Sequence, residues 1–476
     1  MSFIKIFFLI GMFACPILAA SVVPSQAAEV DTSEMSQGEM YQYAEDLRRG
    51  RGLERDIDRA LVLHQQLALD GNTKSYVRMS SILLMQGRLA EAKTALEAGR
   101  DVGSSWAREV LAIGHIKQRF GALSDPEFGV SELLEITQRS NGATARYELA
   151  RAYEAGAGTD ILLEKAREIY EELAAEGHGR SLRRLGDFAR EGAFSEPDFS
   201  AATNYYRAAT ANGYDFVWII LARLHADLGE YQDAIDSYNS AIAAGVARAN
   251  VEFAKRHFLG DFGTLSDRAY GSNLLQTLSE AGDVDAASEA LKLWERRSRR
   301  IGSLDLEGVI SMLDEAMRMG NETATVALAR AYRVLNWRIP QARERHAEIV
   351  QEFSDQLGRS RFREYFYASY DINNHWQSRQ TAYDLISPLE GEEFYQAVRA
   401  LRTTEITAFV YLLQQELRKL GYYSGSPTAS FNRTTLNATM QFCQAQGIAE
   451  ICIHGPLRWA ASKDIILQLT EVRSEG

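Results

Sequence analysis

Glycine punctuates this chain at a nearly fixed interval. Gly71, Gly103, Gly142, Gly177, Gly213, Gly245, Gly282, Gly320, Gly358 and Gly391 each follow an apolar pattern of helical spacing, with successive gaps of 32, 39, 35, 36, 32, 37, 38, 38 and 33 residues. A period of roughly 34–40 residues suits one helical hairpin, too small to bury its apolar face alone and so obliged to stack on its neighbours. Glycine closes a helix because it adopts a left-handed backbone without a Cβ clash. The expectation is an all-α fold: an α-solenoid of stacked helical hairpins over 38–391.

Two stretches show the internal pattern. In ATARYELARAYEAGAGTDILLEKAREIYEELAAEG (143–177), Ala145, Leu149 and Tyr153 share one face of a first helix. Gly156 and Gly158 break it, and Ala166, Tyr170 and Ala174 mark the inner face of a second. The next stretch, 178–213, repeats the scheme with Leu182, Leu185, Gly186, Phe188 and Gly192, then Ala202, Tyr206 and Ala209. Small residues let paired helices approach, and aromatics fill the gaps.

These units resemble Sel-one-like repeats, relatives of tetratricopeptide repeats. The pattern is fullest over 143–245, partial over 38–142 and 246–282, and reduced to period and closing glycines over 283–391. The resemblance implies an open superhelix whose concave surface binds protein or peptide. It does not say which side chains do so.

The pattern changes near Thr404. LRKLGYYSGSPTASFNRTTL (417–436) is a polar elbow between two apolar helices, with Asn432, Thr434 and Thr435 as caps. Leu412, Leu413, Leu417 and Leu420 are expected to face Leu436, Met440 and Phe442, and a third helix to begin near Pro456. Residues 392–403 then form a connecting helix or linker. Leu413-Gln414, Leu417, Leu420-Gly421-Tyr422-Tyr423, Gly425, Phe431, Thr435, Ala438, Phe442, Gly447-Ile448, Gly455-Pro456 and Trp459 resemble the three-helix peptidoglycan-binding domain found at the ends of many cell-wall proteins. The match covers 404–472. Its departures are Thr428-Ala429 for the family's Asp-Gly, Asn432 for a loop glycine, Cys443 for glutamine and Arg458 for threonine. Tyr422, Tyr423, Arg433 and Trp459 are the candidate wall contacts, because aromatic faces stack on sugars and arginine forks to a peptide carboxylate. The alternative for Tyr422 and Trp459 is that they pack the small core.

At the other end, Lys5 precedes an apolar run from Ile6 to Ala20, and Ser25 and Ala27 suit cleavage after Ala27, an export signal over 1–27 followed by a flexible 28–37. Retention as an anchor and lipidation at Cys15 are the other two fates. Cleavage leaves Cys443 and Cys452, either bridged, as an exported chain favours, or two buried thiols. A formal charge of −12 offers no nucleic-acid surface.

No catalytic arrangement stands out. The eight histidines are scattered without metal-ligand spacing, Gly156 and Gly158 close a helix rather than follow a strand, and Glu171-Glu172 and Glu392-Glu393 read as solvated faces. The basic run 294–300 reads as a helix end or a partner contact. Together these imply a periplasmic scaffold of the bacterial envelope, with no catalytic site, metal or cofactor, that binds envelope proteins and is tethered to peptidoglycan. Two alternatives are a scaffold or regulator of exopolysaccharide (alginate-like) biosynthesis and secretion, and an accessory of a cell-wall remodelling enzyme.

Overall fold

The computed structural model describes Thr32 and residues 34–297, 304–369 and 375–475. The export signal, Lys5, Cys15 and the end of the basic run lie outside these. The described residues form 25 α-helices, three short 3-10 stretches and no strand. The fold is all-α, built of consecutive helical hairpins, and the chain divides into two units, one ending at Leu185 and the other starting at Gly186.

In the first unit the hairpins are Gln37–Arg49 with Ile57–Leu69, Thr73–Met85 with Leu89–Asp101, Ser105–Ile116 with Pro126–Arg139, and Ala143–Ala155 with Leu163–Ala175. The first helix starts inside the segment expected to be flexible. Ser36 and Glu39 there satisfy each other's backbone amides in a capping box. In the second unit, Val217–Asp227 pairs with Tyr231–Ala243, Ala249–Leu259 with Arg268–Glu280, Val284–Arg297 with Leu306–Arg318, and Glu322–Val334 with Ala342–Glu352.

Seven of the ten punctuating glycines stop a helix as expected. Gly71, Gly103, Gly177, Gly213, Gly245, Gly282 and Gly320 have φ between 69° and 90°, and at Gly71, Gly103, Gly213, Gly245, Gly282 and Gly320 a Cβ would meet nothing within 4 Å. Backbone conformation alone demands glycine there. The other three differ. Gly142 is extended at φ −61° and opens the helix Ala143–Ala155, because Ser140 has already ended the preceding one. Gly358 lies inside the 3-10 stretch Ser354–Ser360, and Gly391 is the first residue of the helix Gly391–Thr404.

The second helix of each well-formed hairpin buries an aromatic whose polar tip reaches a carboxylate of a first helix. Tyr170 donates to Glu154 at 2.9 Å, Tyr206 to Asp187 at 2.8 Å and Tyr238 to Glu252 at 2.7 Å, and all three tyrosines are fully buried. Arginines of first helices complete the cluster: Arg184 on Glu154, Arg223 and Arg256 on Glu252. In the first hairpin His64 stands where later ones carry tyrosine, 3.5 Å from Glu45, which Arg48, Arg49 and Arg78 surround. Near the other end His346 donates to Glu364 at 3.0 Å, with Arg333 and Arg363 on the same carboxylate.

A second device occurs once in each unit. Residues 112–129 and 254–271 share alanine, histidine, Phe-Gly, Leu-Ser-Asp and glycine at matching places. Asp125 N–H donates to His115 Nδ1 at 2.8 Å, and Asp267 N–H to His257 Nδ1 at 3.1 Å. Ser124 and Ser266 accept from the amides of Phe120 and Phe262. Gly129 and Gly271 lie so close to the carbonyls of Ala112 and Ala254 that a Cβ would approach to 2.6 and 2.4 Å. An accepting Nδ1 requires a neutral ring with its proton on Nε2.

The C-terminal helices share a core with the helices before them. One apolar cluster joins Phe362 and Phe366 with Phe394, Val398 and Leu401, then Phe409, Leu412, Phe442 and Ile465. The connecting helix Gly391–Thr404 is thus a core element. Arg473 of the last helix, Trp459–Glu475, reaches Glu416 at 2.6 Å and the carbonyl of Ser387 at 2.7 Å, and lies 4.3 Å from the Phe394 ring. A short helix, Ala449–Cys452, was not foreseen, and the last helix begins at Trp459, with Pro456 buried in the preceding turn. Leu436 is 37% exposed, because the inner face of Arg433–Ala445 runs through Thr435, Ala438, Thr439 and Phe442.

Removing the Tyr238 hydroxyl leaves Glu252 its two arginines, so Tyr238→Phe lowers the urea-unfolding free energy by about 1–2 kcal/mol. Stability also falls with acid. Burial pushes the His64 imidazole down to about 4, and burial lowers His115 and His257 as well. Unfolded histidine titrates near 6.5, so from about pH 6.5 downward the unfolded chain takes up protons that the folded chain refuses. Burial alone would raise Glu252 and Glu364. Hydrogen bonds and charge from Arg223 and Tyr238, and from His346 and Arg333, instead hold both carboxyls at about 2, against an ordinary 4.5. Their contribution is complete above pH 4.5 and disappears toward 2. Urea midpoints are expected to drop steadily from about pH 7.5 to about pH 4; an unchanged midpoint contradicts the neutral-histidine packing.

Candidate functional site

The elbow is organised by one glutamine. Gln414 is completely buried on the helix Ile406–Lys419. Its Nε2 donates to the Ser430 carbonyl at 3.0 Å and Thr435 Oγ1 at 2.8 Å, and its Oε1 accepts from the amides of Thr428 and Ala429 at 2.8 and 2.9 Å. All four hydrogen-bonding positions of the side chain are thereby used. Asn432 caps the following helix by accepting from Thr435 N–H at 3.0 Å. Ala429 sits at φ +62°, a left-handed backbone. That is the place of the Asp-Gly glycine in the pattern the sequence resembles, so the departure falls where a Cβ is strained.

The four candidate wall contacts are placed differently from one another. Tyr423 is 4% exposed and its hydroxyl donates to the Ser426 carbonyl, which makes it a core residue with no face for a ligand. Tyr422 is half-buried, edge-on to Phe442 at 5.7 Å. Arg433 is exposed at the start of its helix. Trp459 is 43% exposed, with Arg399 and Arg402 over its ring at 5.5 and 5.9 Å. Arg402 also donates to the Leu457 carbonyl at 2.6 Å, fixing the turn before Trp459. Cys443 and Cys452 are bonded to each other and fully buried, tying the end of one helix to the short Ala449–Cys452.

A second candidate lies in the repeats of the second unit. A cleft of about 380 Å³ opens along the first helices Val217–Asp227, Ala249–Leu259 and Val284–Arg297. Ile219 and Val251 form an apolar floor, and Phe216, 49% exposed, stands at the side. Arg223, Arg248 and Lys255 line it with Glu252 and Glu289. Arg223 binds Glu252, Lys255 reaches Glu289 at 3.1 Å, and Arg248 approaches Asp285 at 3.4 Å. Sequence reading missed these residues. The available signal was a cation on one first helix and an acid about one period on, as in Arg223 and Glu252, 29 residues apart.

Among the described residues, one grouping has metal-ligand character: His225, Glu230 and Asp233, with ligand-type atoms within 4.8 Å of one another. The His225 ring is already tied to Glu230 at 2.5 Å and both acids are exposed, so nothing there calls for an ion.

Gln414→Ala leaves the Thr428 and Ala429 amides without their acceptor, while Thr435 Oγ1 keeps Ser430 and Asn432, and is expected to cost roughly 2–4 kcal/mol, measured by urea unfolding, with the elbow becoming protease-sensitive. Gln414→Glu, which keeps the acceptor but loses the donor, should fall between this variant and the parent.

No protein-family model and no curated protein matches the chain. Among solved structures, it is similar to a protective antigen of uropathogenic Escherichia coli described as displaying an SLR fold, at 16% identity and a TM-score of 0.39, over 92% of this chain and 90% of that one. It is also similar to a Sel1 repeat protein from Oxalobacter formigenes, at 18% identity and a TM-score of 0.38, over 51% of this chain and 99% of that one. The fold described above rests on the chain's own helix pairing and not on these likenesses.

Proposed function

We propose that this chain is an exported, non-catalytic scaffold whose stacked hairpins bind protein and whose C-terminal helices hold it to peptidoglycan in the bacterial envelope. The observation that carries the reading is the cleft along three successive first helices. It combines an apolar floor with charged walls and is built from side chains that consecutive repeats supply. Repeat arrays present such surfaces because each hairpin contacts only its neighbours and leaves one helix row uncovered. Export is supported by Lys5, the apolar run after it and the small residues Ser25 and Ala27. A bonded Cys443–Cys452 pair suits an oxidising compartment. The tether is supported by the resemblance over 404–472 and by Tyr422, Arg433 and Trp459, each with part of its surface open to solvent.

The full mature chain, incubated with purified sacculi, is expected to sediment with them, and Trp459→Ala to shift it toward the supernatant with unchanged melting. A folded parent chain that stays in the supernatant removes the tether. Cross-linking of the same chain in envelope extract should capture discrete protein partners; their absence removes the scaffold.

A further inference from the structure

We infer that the cleft along Val217–Asp227, Ala249–Leu259 and Val284–Arg297 docks an extended acidic peptide, with one apolar side chain on the Ile219–Val251 floor and carboxylates on either side of it. The inference rests on the scaffold reading and names the chemistry of its partner.

The charges in the cleft are layered. The two lining carboxylates are recessed, with side chains 20% exposed at Glu252 and 11% at Glu289. The cations stand outside them: Arg248 is 64% exposed, Arg223 48% and Lys255 35%. Arg223 and Lys255 are each held from beneath by a recessed acid, and Arg248 by the more open Asp285, 39% exposed, so each cation is positioned while part of it remains in water. A guanidinium has five N–H donors, and the bond of Arg223 to Glu252 engages an edge of it. Arg256 and Lys292 also reach Glu252 and Glu289, at 3.4 Å each, so cations outnumber acids in this part of the surface. On a chain of net charge −12 that is a local inversion of sign. An incoming carboxylate gains the outer donors of Arg223, Arg248 and Lys255 without displacing the buried acids, and orientation costs are low because the cations are already positioned.

The floor separates peptide from other anions. Ile219 and Val251 are 4% and 5% exposed, and the flanking Phe216 ring is half in solvent, so an apolar group entering the cleft covers the ring and the floor together. A peptide side chain supplies such a group. A uronic-acid polymer supplies carboxylates without one, and a nucleic acid would meet the recessed Glu252 and Glu289. Arg248 has a left-handed backbone at φ 66°, one of four non-glycine residues so placed among those described. That conformation is costly for arginine and sets its side chain at the start of Ala249–Leu259, beside the floor.

The test pans a random-peptide phage library on the immobilised full chain and measures the enriched peptides by fluorescence anisotropy. Enriched sequences are expected to carry Asp or Glu beside Leu, Ile, Phe or Met, and their binding to weaken as salt rises. Arg248→Glu and Phe216→Ala, both at exposed positions and checked for unchanged melting, should each weaken binding about tenfold, whereas Arg139→Glu, at the exposed end of Pro126–Arg139, should not. Peptides without an acidic bias, peptides insensitive to both cleft variants, no enrichment at all, or binding of an acidic oligosaccharide in place of peptide would each overturn the inference. Peptides insensitive to the cleft variants leave the scaffold reading standing. The scaffold reading falls only if envelope cross-linking captures nothing.

Discussion

A tyrosine buried to its hydroxyl must put that hydroxyl on an acceptor, because an unpaired polar atom in a close-packed interior costs several hydrogen bonds' worth of net stability. Tyr170, Tyr206 and Tyr238 meet this demand in the same way, by reaching a carboxylate on a first helix. At Glu154 and Glu252 the carboxylate is then a partly buried charge and is met by cations, which first helices supply as arginine. One aromatic choice on the second helix thus fixes the hairpin's spacing, the acid on the first helix and a basic partner. Small residues complete the constraint: Gly186 lies so close to the Tyr206 ring that a Cβ would approach to 2.5 Å.

The same arrangement explains where variation is tolerated. His64 and His346 replace the phenol with an imidazole and keep the acid and its arginines. His346 donates to its acid at 3.0 Å, whereas His64 lies 3.5 Å from Glu45. Imidazole, unlike phenol, adds a titration near neutrality, and burial holds His64 neutral well into the acid range. In the paired brackets at His115 and His257 the ring works as an acceptor for a backbone amide that begins the next helix, so a neutral state is part of the turn itself.

The C-terminal helices show how an array ends. Exposed apolar surface on a last hairpin must be covered, and here Ile406–Lys419 and Trp459–Glu475 share one core with Arg361–Ser369 and Gly391–Thr404. Arg473 binds the carbonyls of Ser387 and Leu389 and the Glu416 carboxylate, which ties the last helix to the turn before Gly391–Thr404 and to Ile406–Lys419. Tyr422, Arg433 and Trp459 are therefore carried on elements packed into this larger core.

Local rules in the sequence were enough to determine the helical hairpins, their period and most of their stops. Left-handed glycine, alternating small and aromatic positions and capping side chains act over a few residues, and each leaves a mark that can be read in order. Glycines 142, 358 and 391 escaped that reading because a glycine need not close a helix: Gly142 is extended, and Gly358 and Gly391 take positive φ inside a 3-10 stretch and at a helix start. Gln414 was legible as a motif position, but its four bonds to the elbow were not, since they depend on the loop folding back over the helix. Tyr423 and Tyr422 are adjacent and alike in sequence, and only packing put one in the core and left the other half-open. The cleft was hidden for the same reason. Arg223 comes from one hairpin, Arg248 and Lys255 from the next and Glu289 from a third, and which charges stand outward and which are recessed beneath them is decided when neighbouring repeats stack, a contact that no single stretch of chain contains.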